Sequence, residues 1–176
     1  MNRVEEQILV IKIRSGQPER FVAIYDWYVR PIFRFIRIKV QSHEVAEDLA
    51  SETFTKALEY LVDGGRPLVR NVRPFLYQIA RACVANYYRR SPSATVELGD
   101  DVAGGPTAAR LVEAGDVEGA LARLPEDQRE AVTLRYLEGL SAGEAAAIMG
   151  KSAGAVRVLA HRGMQALREF LSSSSS

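Results

Sequence analysis

Arginine and aromatic side chains alternate along a stretch of the chain that contains no acidic residue, Gly64–Val96. An aromatic ring or a guanidinium plane can stack on an unpaired nucleic-acid base, and each such contact contributes about 1–3 kcal/mol. The stretch therefore suits a surface that binds nucleic acid. The alternative is a hydrophobic core. Phe75, Ile79, Cys83 and Tyr87 form an apolar stripe on one helix face. Phe75 and Tyr87 therefore suit a core better, whereas Tyr77 and Arg81 lie off that stripe.

A second acid-free stretch, Ala145–Arg168, is also basic. Ser141 and Glu144 have the spacing of a capping box, in which each side chain bonds the backbone amide of the other. Gly150 is placed to end the helix that they open, and Ser152 to cap the next one. A short helix, a glycine turn and a basic helix are typical of a helix-turn-helix, whose second helix enters the major groove. A plain helical hairpin is the alternative.

Acidic residues concentrate in a third segment, Glu44–Asp63, although the net charge of the chain is only +1. Such segregation suits a protein that binds both DNA and a basic protein surface. Carboxylates form charge-assisted contacts with arginine, and phosphates repel them. For Glu44 and Glu47 the alternative is that they only favour the N-terminus of their helix.

Other kinds of site lack the residues they need. Cys83 is the only cysteine, which excludes an intrachain disulfide and a cysteine cluster for zinc. His43 and His161 lie far apart, and no phosphate loop or paired catalytic motif is present. No apolar run reaches the length of a membrane span, and the N-terminus lacks the order of a secretory signal. We therefore expect a cytoplasmic protein that is not an enzyme, without cofactor, metal or membrane insertion.

The apolar spacing predicts helices nearly throughout and no strand. Apolar residues recur at three- and four-residue steps over Phe21–Ile36, after Pro18, which can open a helix. Further helices are expected after Ser42 and at Pro74. Helices resume after a segment that bears proline and glycine, over roughly Ala109–Arg123 and Pro125–Glu138, and two short helices follow. The predicted fold is all-α, with two small helical domains joined by a flexible linker, the second containing the helix-turn-helix.

Longer motifs carry a resemblance to one family. ALARLPEDQREAVTLRYLEGLS, followed by the helix-turn-helix and AVRVLAHRGMQAL, resembles region 4 of the sigma-70 family of bacterial RNA polymerase sigma factors. FVAIYDWYVRPIFRFI, AEDLASETFTKAL and PFLYQIARACVANYYRR resemble the opening, polymerase-binding and promoter-melting helices of region 2. The two motif sets, joined by a short linker without a region 3, are similar to the extracytoplasmic-function (ECF, group 4) subgroup.

The resemblance implies an organisation for the chain. Residues 1–90 would form region 2, 91–112 a flexible linker, 113–171 region 4, and 172–176 a disordered serine tail. Region 2 would bind the clamp helices of the largest polymerase subunit and recognise and melt the minus-ten element. Region 4 would recognise the minus-thirty-five element. The implied partners are core RNA polymerase, including the flap of its second-largest subunit, duplex and single-stranded promoter DNA, and an anti-sigma factor.

The resemblance also implies which residues make these contacts. The minus-ten residues would be Arg70, Asn71, Arg73, Phe75, Tyr77, Gln78, Arg81, Ala82, Asn86, Arg89 and Arg90. The minus-thirty-five residues would be Lys151, Ser152, Ala153, Arg157, His161 and Arg162, and the polymerase-binding residues Asp48, Glu52, Phe54 and Lys56. The family often has tryptophan at Phe75, and at Ala82 an asparagine that helps line a flipped-base pocket. Leu159 and Ala160 replace the commoner arginine and leucine.

Two other classes of protein stay open. A one-component regulator would need a sensor domain or a dimer helix, and the first half lacks both a cavity-forming pattern and heptads. An adaptor that binds polymerase but not DNA would have no use for the arginine-rich helix. Promoter-specific transcription by core polymerase with the purified chain separates these classes.

Overall fold

The helices of the first part of the chain begin at residues that satisfy backbone amides. In the computed structural model, the Asn2 side chain accepts from the Glu5 amide at 2.9 Å, and the Glu5 carboxylate accepts from the Asn2 amide at 2.9 Å. Ser42 accepts from the Val45 amide at 3.3 Å. Pro18 begins a short 3₁₀ turn directly before a helix. Asn2 and Ser42 set the starts of their helices because the first amides of a helix have no partner within it, whereas no side chain caps the helix after Pro18.

The structure describes residues 1–40, 42–90 and 117–173, in two units, Met1–Arg89 and Arg90–Ser176. The first unit contains α1 (Arg3–Arg14), α2 (Phe21–Arg37), α3 (His43–Val62) and α4 (Val72–Arg90). The second contains α5 (Val117–Ala122), α6 (Glu126–Val132), α7 (Ala142–Met149) and α8 (Ala153–Ser173). No strand occurs in these three ranges, and the all-α prediction is confirmed.

The core of the first unit lies between α2, α3 and α4. Its least exposed large side chains are Ile24, Ile32, Phe35, Ile36, Leu61, Leu76 and Tyr77. The rings of Phe21 and Phe54 meet edge to face at 6.3 Å and join α2 to α3. Those of Phe35 and Tyr77 meet at 5.1 Å and join α2 to α4. Edge-to-face pairs add specific geometry to the burial of apolar area, so they define how the three helices pack.

The helix α1 was not predicted from the sequence. It buries Val10 and Ile13, which are 0% and 1% exposed. Its Glu6 side chain is also buried, and accepts hydrogen bonds from the Tyr28 hydroxyl and, at 3.3 Å, from the Val72 amide. The carboxylate thus joins α1 to α2 and to the first residue of α4.

The helix α4 turns a different face to the core from the one that the sequence predicted. The predicted stripe was Phe75, Ile79, Cys83 and Tyr87, and only Cys83 of these is buried. The buried residues are Val72, Pro74, Leu76, Tyr77, Ala80, Cys83 and Val84. Both rows repeat at helical steps, so the packing of α4 on α2, and not the periodicity, decides which row faces inward.

The predicted helix-turn-helix is present in the second unit. Ser141 accepts from the Glu144 amide at 3.2 Å, and the Glu144 carboxylate accepts from the Ser141 amide at 2.8 Å, which opens α7. Gly150 ends α7 with φ 66°, a left-handed conformation that glycine adopts without steric strain. Ser152 then accepts from the Ala155 amide at 3.1 Å and caps α8. Each of these bonds spans three residues, which is why the sequence alone predicted them.

A π-helical turn follows α6, where the sequence predicted a single helix over Pro125–Glu138. The Glu138 amide donates to the Thr133 carbonyl at 2.9 Å, one residue further back than in an α-helix. This turn leaves Tyr136 and Leu137 exposed on the second unit. Such turns are uncommon and frequently lie at functional sites.

The C-terminal helix extends further than expected. It runs through Ser173, so the prediction of a disordered tail from residue 172 is wrong for the first two serines. The predicted linker, residues 91–112, together with residues 113–116 and the last three serines, lies outside the described residues.

The helices α6 and α8 approach each other closely at Gly163. A Cβ atom there would lie 2.6 Å from a methyl carbon of Val132 and 3.2 Å from the Gln128 carbonyl oxygen. We expect Gly163→Ala to lower the free energy of unfolding of the second unit by about 1–3 kcal/mol, since a methyl group would overpack the crossing. Urea unfolding followed by circular dichroism measures this change.

The matched control is Gly154→Ala in the same helix, where the nearest atom to an added Cβ is the Ser152 hydroxyl oxygen at 3.9 Å. There alanine fits and should raise stability by about 0.5–1 kcal/mol through helix propensity. Equal effects of the two variants would contradict the close crossing.

Candidate nucleic-acid and protein interfaces

The residues predicted to contact the minus-ten element surround α4 and the loop before it, residues 63–71 (the α3–α4 loop). The exposed ones are Arg70, Gln78, Ala82, Arg89 and Arg90, and the half-buried ones are Asn71, Arg73, Phe75, Arg81 and Asn86. Arg89 donates to the Asn86 side chain. The structure therefore brings ten of the eleven predicted residues to the surface of one helix and its loop, where they form a cationic area.

Tyr77 is the exception, and its predicted contact with DNA is wrong for this conformation. Its side chain is 0% exposed, and its ring lies edge to face with Phe35 at 5.1 Å. A buried ring offers no face to a base. Tyr77 lies off the predicted stripe but on the row of α4 that packs against α2, which explains the error.

A cleft of about 350 Å³ opens between α3, α4 and the α3–α4 loop. It is lined by Lys56, Glu59, Arg66, Ile79, Ala82 and Cys83. The Arg66 guanidinium lies 5.0 Å from the centre of the Tyr60 ring, and Phe75 lies 5.0 Å from the same ring. Rings and a cation beside a cleft are the groups that bind an unpaired base.

Lys56 and Glu52 form an ion pair on α3, one helical turn apart. The hydrogen bond from Lys56 to Glu52 raises the pKa of the Lys56 ammonium, so it stays charged. Burial raises the pKa of the neighbouring Cys83 thiol, which therefore stays protonated near neutral pH. The cleft is consequently lined by a paired ammonium group and a neutral thiol, together with Glu59 and Arg66.

The four residues predicted to bind polymerase differ in exposure. Asp48 is exposed, whereas the Glu52 and Lys56 side chains are 38% and 42% exposed and bond each other. Phe54 is only 4% exposed, and its ring packs on Tyr25 at 4.9 Å. Phe54 therefore holds α2 against α3, and its prediction as a surface contact is wrong.

In the second unit, the outer face of α8 carries Arg157, His161 and Arg162, all exposed. Lys151 forms an ion pair with Asp127 at 2.9 Å, and the hydroxyl of Ser152 caps the helix. Both of these predicted contact residues thus also hold the start of α8. Ala153 is half-buried in the first turn.

The packing positions of α8 follow its apolar row. Val156 and Ala160 are 0% and 2% exposed, and Leu159 is half-buried. Alanine at 160 suits a close helix contact, because Gly163, which approaches α6, lies one turn further along the chain. The two departures from the family pattern are therefore packing residues and not members of the exposed face.

Three residues of α1 hold the α3–α4 loop, and sequence reasoning missed them. Arg14 and Gln7 donate to backbone carbonyls of the loop, and Glu6 accepts from the amide at the start of α4. The capping box of Asn2 and Glu5 was the signal that would have revealed α1. No local pattern in the sequence, however, indicates the distant groups that Glu6, Gln7 and Arg14 bond.

Two other kinds of feature are absent from the described ranges. No group of histidine, cysteine, aspartate and glutamate there could hold a metal ion. Nor is any helix of those ranges both long and apolar enough for a membrane span.

Comparison with known proteins gives consistent matches. Residues 114–167 match the family model described as Sigma-70, region 4. The ECF RNA polymerase sigma factor BldN of Streptomyces coelicolor is 34% identical over 175 residues, which cover 93% of this chain. This chain spans 64% of the length of BldN. The ECF RNA polymerase sigma factor SigM of Bacillus subtilis is 32% identical over 152 residues, which cover 82% of this chain and 91% of SigM.

A solved structure is also similar. The sigma factor RpoE from Bartonella quintana, crystallised with the anti-sigma factor NepR, matches with a TM-score of 0.66 and 26% identity over 86% of this chain and 96% of RpoE. The two curated relatives exceed 30% identity, and SigM is covered nearly completely. Together with the region 4 match and the helix-turn-helix, these findings show that the chain belongs to the ECF RNA polymerase sigma factors.

Proposed function

We propose that this chain binds core RNA polymerase and directs transcription initiation at promoters whose minus-thirty-five and minus-ten elements it recognises, and that it promotes strand opening. The supporting observation is that the chain carries two cationic surfaces of different shape. One surrounds a cleft beside α4, and the other is the outer face of a capped helix-turn-helix. The chain acts by binding and not by catalysis, and it works in the cytoplasm, where the polymerase is.

The minus-thirty-five element is read by α8. An exposed arginine near the start of a recognition helix can bind guanine through two hydrogen bonds in the major groove. Arg157 has this position, and its neighbours His161 and Arg162 lie one turn further on, where phosphates are in reach. The ion pair of Lys151 with Asp127 and the Ser152 cap keep the helix start in place.

The minus-ten element is read as a single strand by α4 and the α3–α4 loop. Flipping a base out of the duplex costs a few kcal/mol, which a cleft with stacking groups can offset. The cleft has these groups, with Arg66 beside the Tyr60 ring at its edge. Ala82 lines it with a methyl group where the family often has asparagine, so the preferred base is expected to differ from that of relatives with asparagine.

Core polymerase is held by the acidic face of α3. Asp48 presents an exposed carboxylate toward a basic partner, which we take to be the clamp helices of the largest subunit. The second unit binds the flap of the second-largest subunit. An anti-sigma factor is a further partner, by analogy with RpoE, which was crystallised with NepR.

The role of α3 is tested by Asp48→Arg. The affinity for core polymerase should fall by about 2–5 kcal/mol, because one partner of a desolvated charge pair is replaced by a repelling charge. Fluorescence anisotropy of the labelled chain titrated with core polymerase measures this loss. The fold should survive, since Asp48 is exposed.

The matched control for that variant is Asp26→Arg, which makes the same charge reversal on the exposed face of α2. This control should bind polymerase as the unaltered chain does. Loss of binding in both variants would indicate long-range electrostatics, and retained binding by Asp48→Arg would refute the assignment of α3.

The variants Arg81→Ala and Arg157→Ala distinguish the roles of the two proposed DNA surfaces. Arg157→Ala should weaken promoter binding by about 1–3 kcal/mol if the arginine contacts a guanine, and should relax the preference at one base pair. Arg81→Ala should leave the closed complex nearly intact and slow strand opening. Run-off transcription with core polymerase on duplex and on pre-melted templates measures both effects.

The pre-melted template should restore transcription by the Arg81 variant and not by the Arg157 variant. The control is Gln165→Ala, at an exposed position two turns beyond Arg157 on α8. This variant should behave as the unaltered chain. The opposite pattern of rescue would mean that the two surfaces have been assigned to the wrong promoter elements.

A further inference from the structure

Arg14, near the end of α1, holds the backbone of the α3–α4 loop at three points. Its guanidinium donates to the carbonyl oxygens of Gly64 at 2.9 Å, Arg66 at 2.6 Å and Pro67 at 3.2 Å. Arginine suits this task because its planar fork of donors reaches several acceptors without rearrangement. The loop residues that it bonds lie 50 to 53 positions away in the sequence.

Two more side chains of α1 contact the other end of the loop. Gln7 donates to the Val69 carbonyl at 3.0 Å, and Glu6 accepts from the Val72 amide at 3.3 Å. Both ends of the loop are thus attached to the same helix. Because Val10 and Ile13 anchor α1 in the core, the helix provides a rigid support for these bonds.

The loop is also bonded internally and to α3, where the Tyr60 hydroxyl donates to the Pro67 carbonyl at 3.4 Å. Asp63 accepts from the Gly65 amide at 3.0 Å and from the Arg66 side chain at 2.9 Å, and these bonds hold the pKa of Asp63 below its ordinary value. Toward solvent the loop presents Leu68 and Arg70, both exposed. Most of the side-chain bonds to its backbone therefore come from α1, while Leu68 and Arg70 are left to face a ligand.

We propose that α1 is a positioning element for promoter recognition, in which Arg14 and Gln7 set how sharply the chain discriminates between bases of the unpaired minus-ten strand without contacting DNA. This inference rests on the proposed function, that the α3–α4 loop and α4 read this strand. A loop held in its binding conformation loses less entropy when it binds, and it keeps its contact groups in one arrangement. A loosened loop accommodates several bases about equally.

The test is transcription from a library of promoters that carry one fixed minus-thirty-five element and a randomised minus-ten region. The full chain and core polymerase transcribe the library, and sequencing of the products gives the base preference at each position. The variants are Arg14→Met, Gln7→Met and the control Lys12→Met, which removes an exposed positive charge from the same helix. Affinity for core polymerase and the thermal midpoint are measured in parallel.

We expect Arg14→Met to reduce the ratio of favoured to disfavoured bases about tenfold, which corresponds to about 1.4 kcal/mol. The affinity for core polymerase should not change, because the α3 acids are untouched. Gln7→Met should act in the same direction and less strongly, since it removes one bond to the loop. Lys12→Met should leave the preference as it is. Arg14→Lys should restore part of it, because one ammonium group cannot reach three carbonyls as the guanidinium does.

Three results would overturn the inference. The first is an unchanged base preference in both Arg14→Met and Gln7→Met, while the unaltered chain discriminates. The second is an equal loss in the Lys12→Met control. The third is a general loss of polymerase binding and thermal stability along with the preference, which would make Arg14 a merely structural residue.

If Arg14→Met does not fold, Gln7→Met decides the question. Failure of the proposed function has a different signature, because the unaltered chain itself would then show no preference in the randomised region.

Discussion

A carboxylate is buried in the first unit where α1, α2 and α4 meet. Glu6 is 5% exposed and accepts hydrogen bonds from the Tyr28 hydroxyl and the Val72 amide. A buried carboxylate is unfavourable unless donors satisfy it, and here it also faces the positive end of the α4 helix dipole. Burial and the contact with Glu6 raise the pKa of Tyr28 well above its ordinary value, so the hydroxyl keeps its proton and remains a donor. The start of α4, and with it the cationic surface, depends on this arrangement.

The distribution of charge explains how a chain of net charge +1 can carry the two cationic surfaces of the proposed function. The cations of α4 and α8 lie on outer faces, while Asp48 and the acids near it occupy α3. Some cations are paired, as Lys56 is with Glu52 and Lys151 with Asp127. These pairs are partly exposed and contribute little to stability. Their effect is to position side chains beside the cleft and at the start of the recognition helix.

Sequence reasoning succeeded where a signal is local. The helix-turn-helix was predicted because Ser141, Glu144, Gly150 and Ser152 each act on backbone groups a few residues away. The start of α3 at Ser42 was predicted for the same reason. Sequence reasoning failed for Tyr77 and Phe54, which were predicted as contact residues and are core residues. Aromatic side chains fit a base and a core equally well, so residue type could not separate the two roles.

The sequence by itself determined the helices other than α1, most of their starts, the segregation of charge and the family, because each follows from residues adjacent in the chain or from long motifs. Only the tertiary structure decided which face of α4 is buried and how the α3–α4 loop is held. Those outcomes depend on α2 and α1, and the bonds from α1 join residues 50 to 66 positions apart. No periodicity or local spacing encodes such a partner, because it is selected only when the helices pack together.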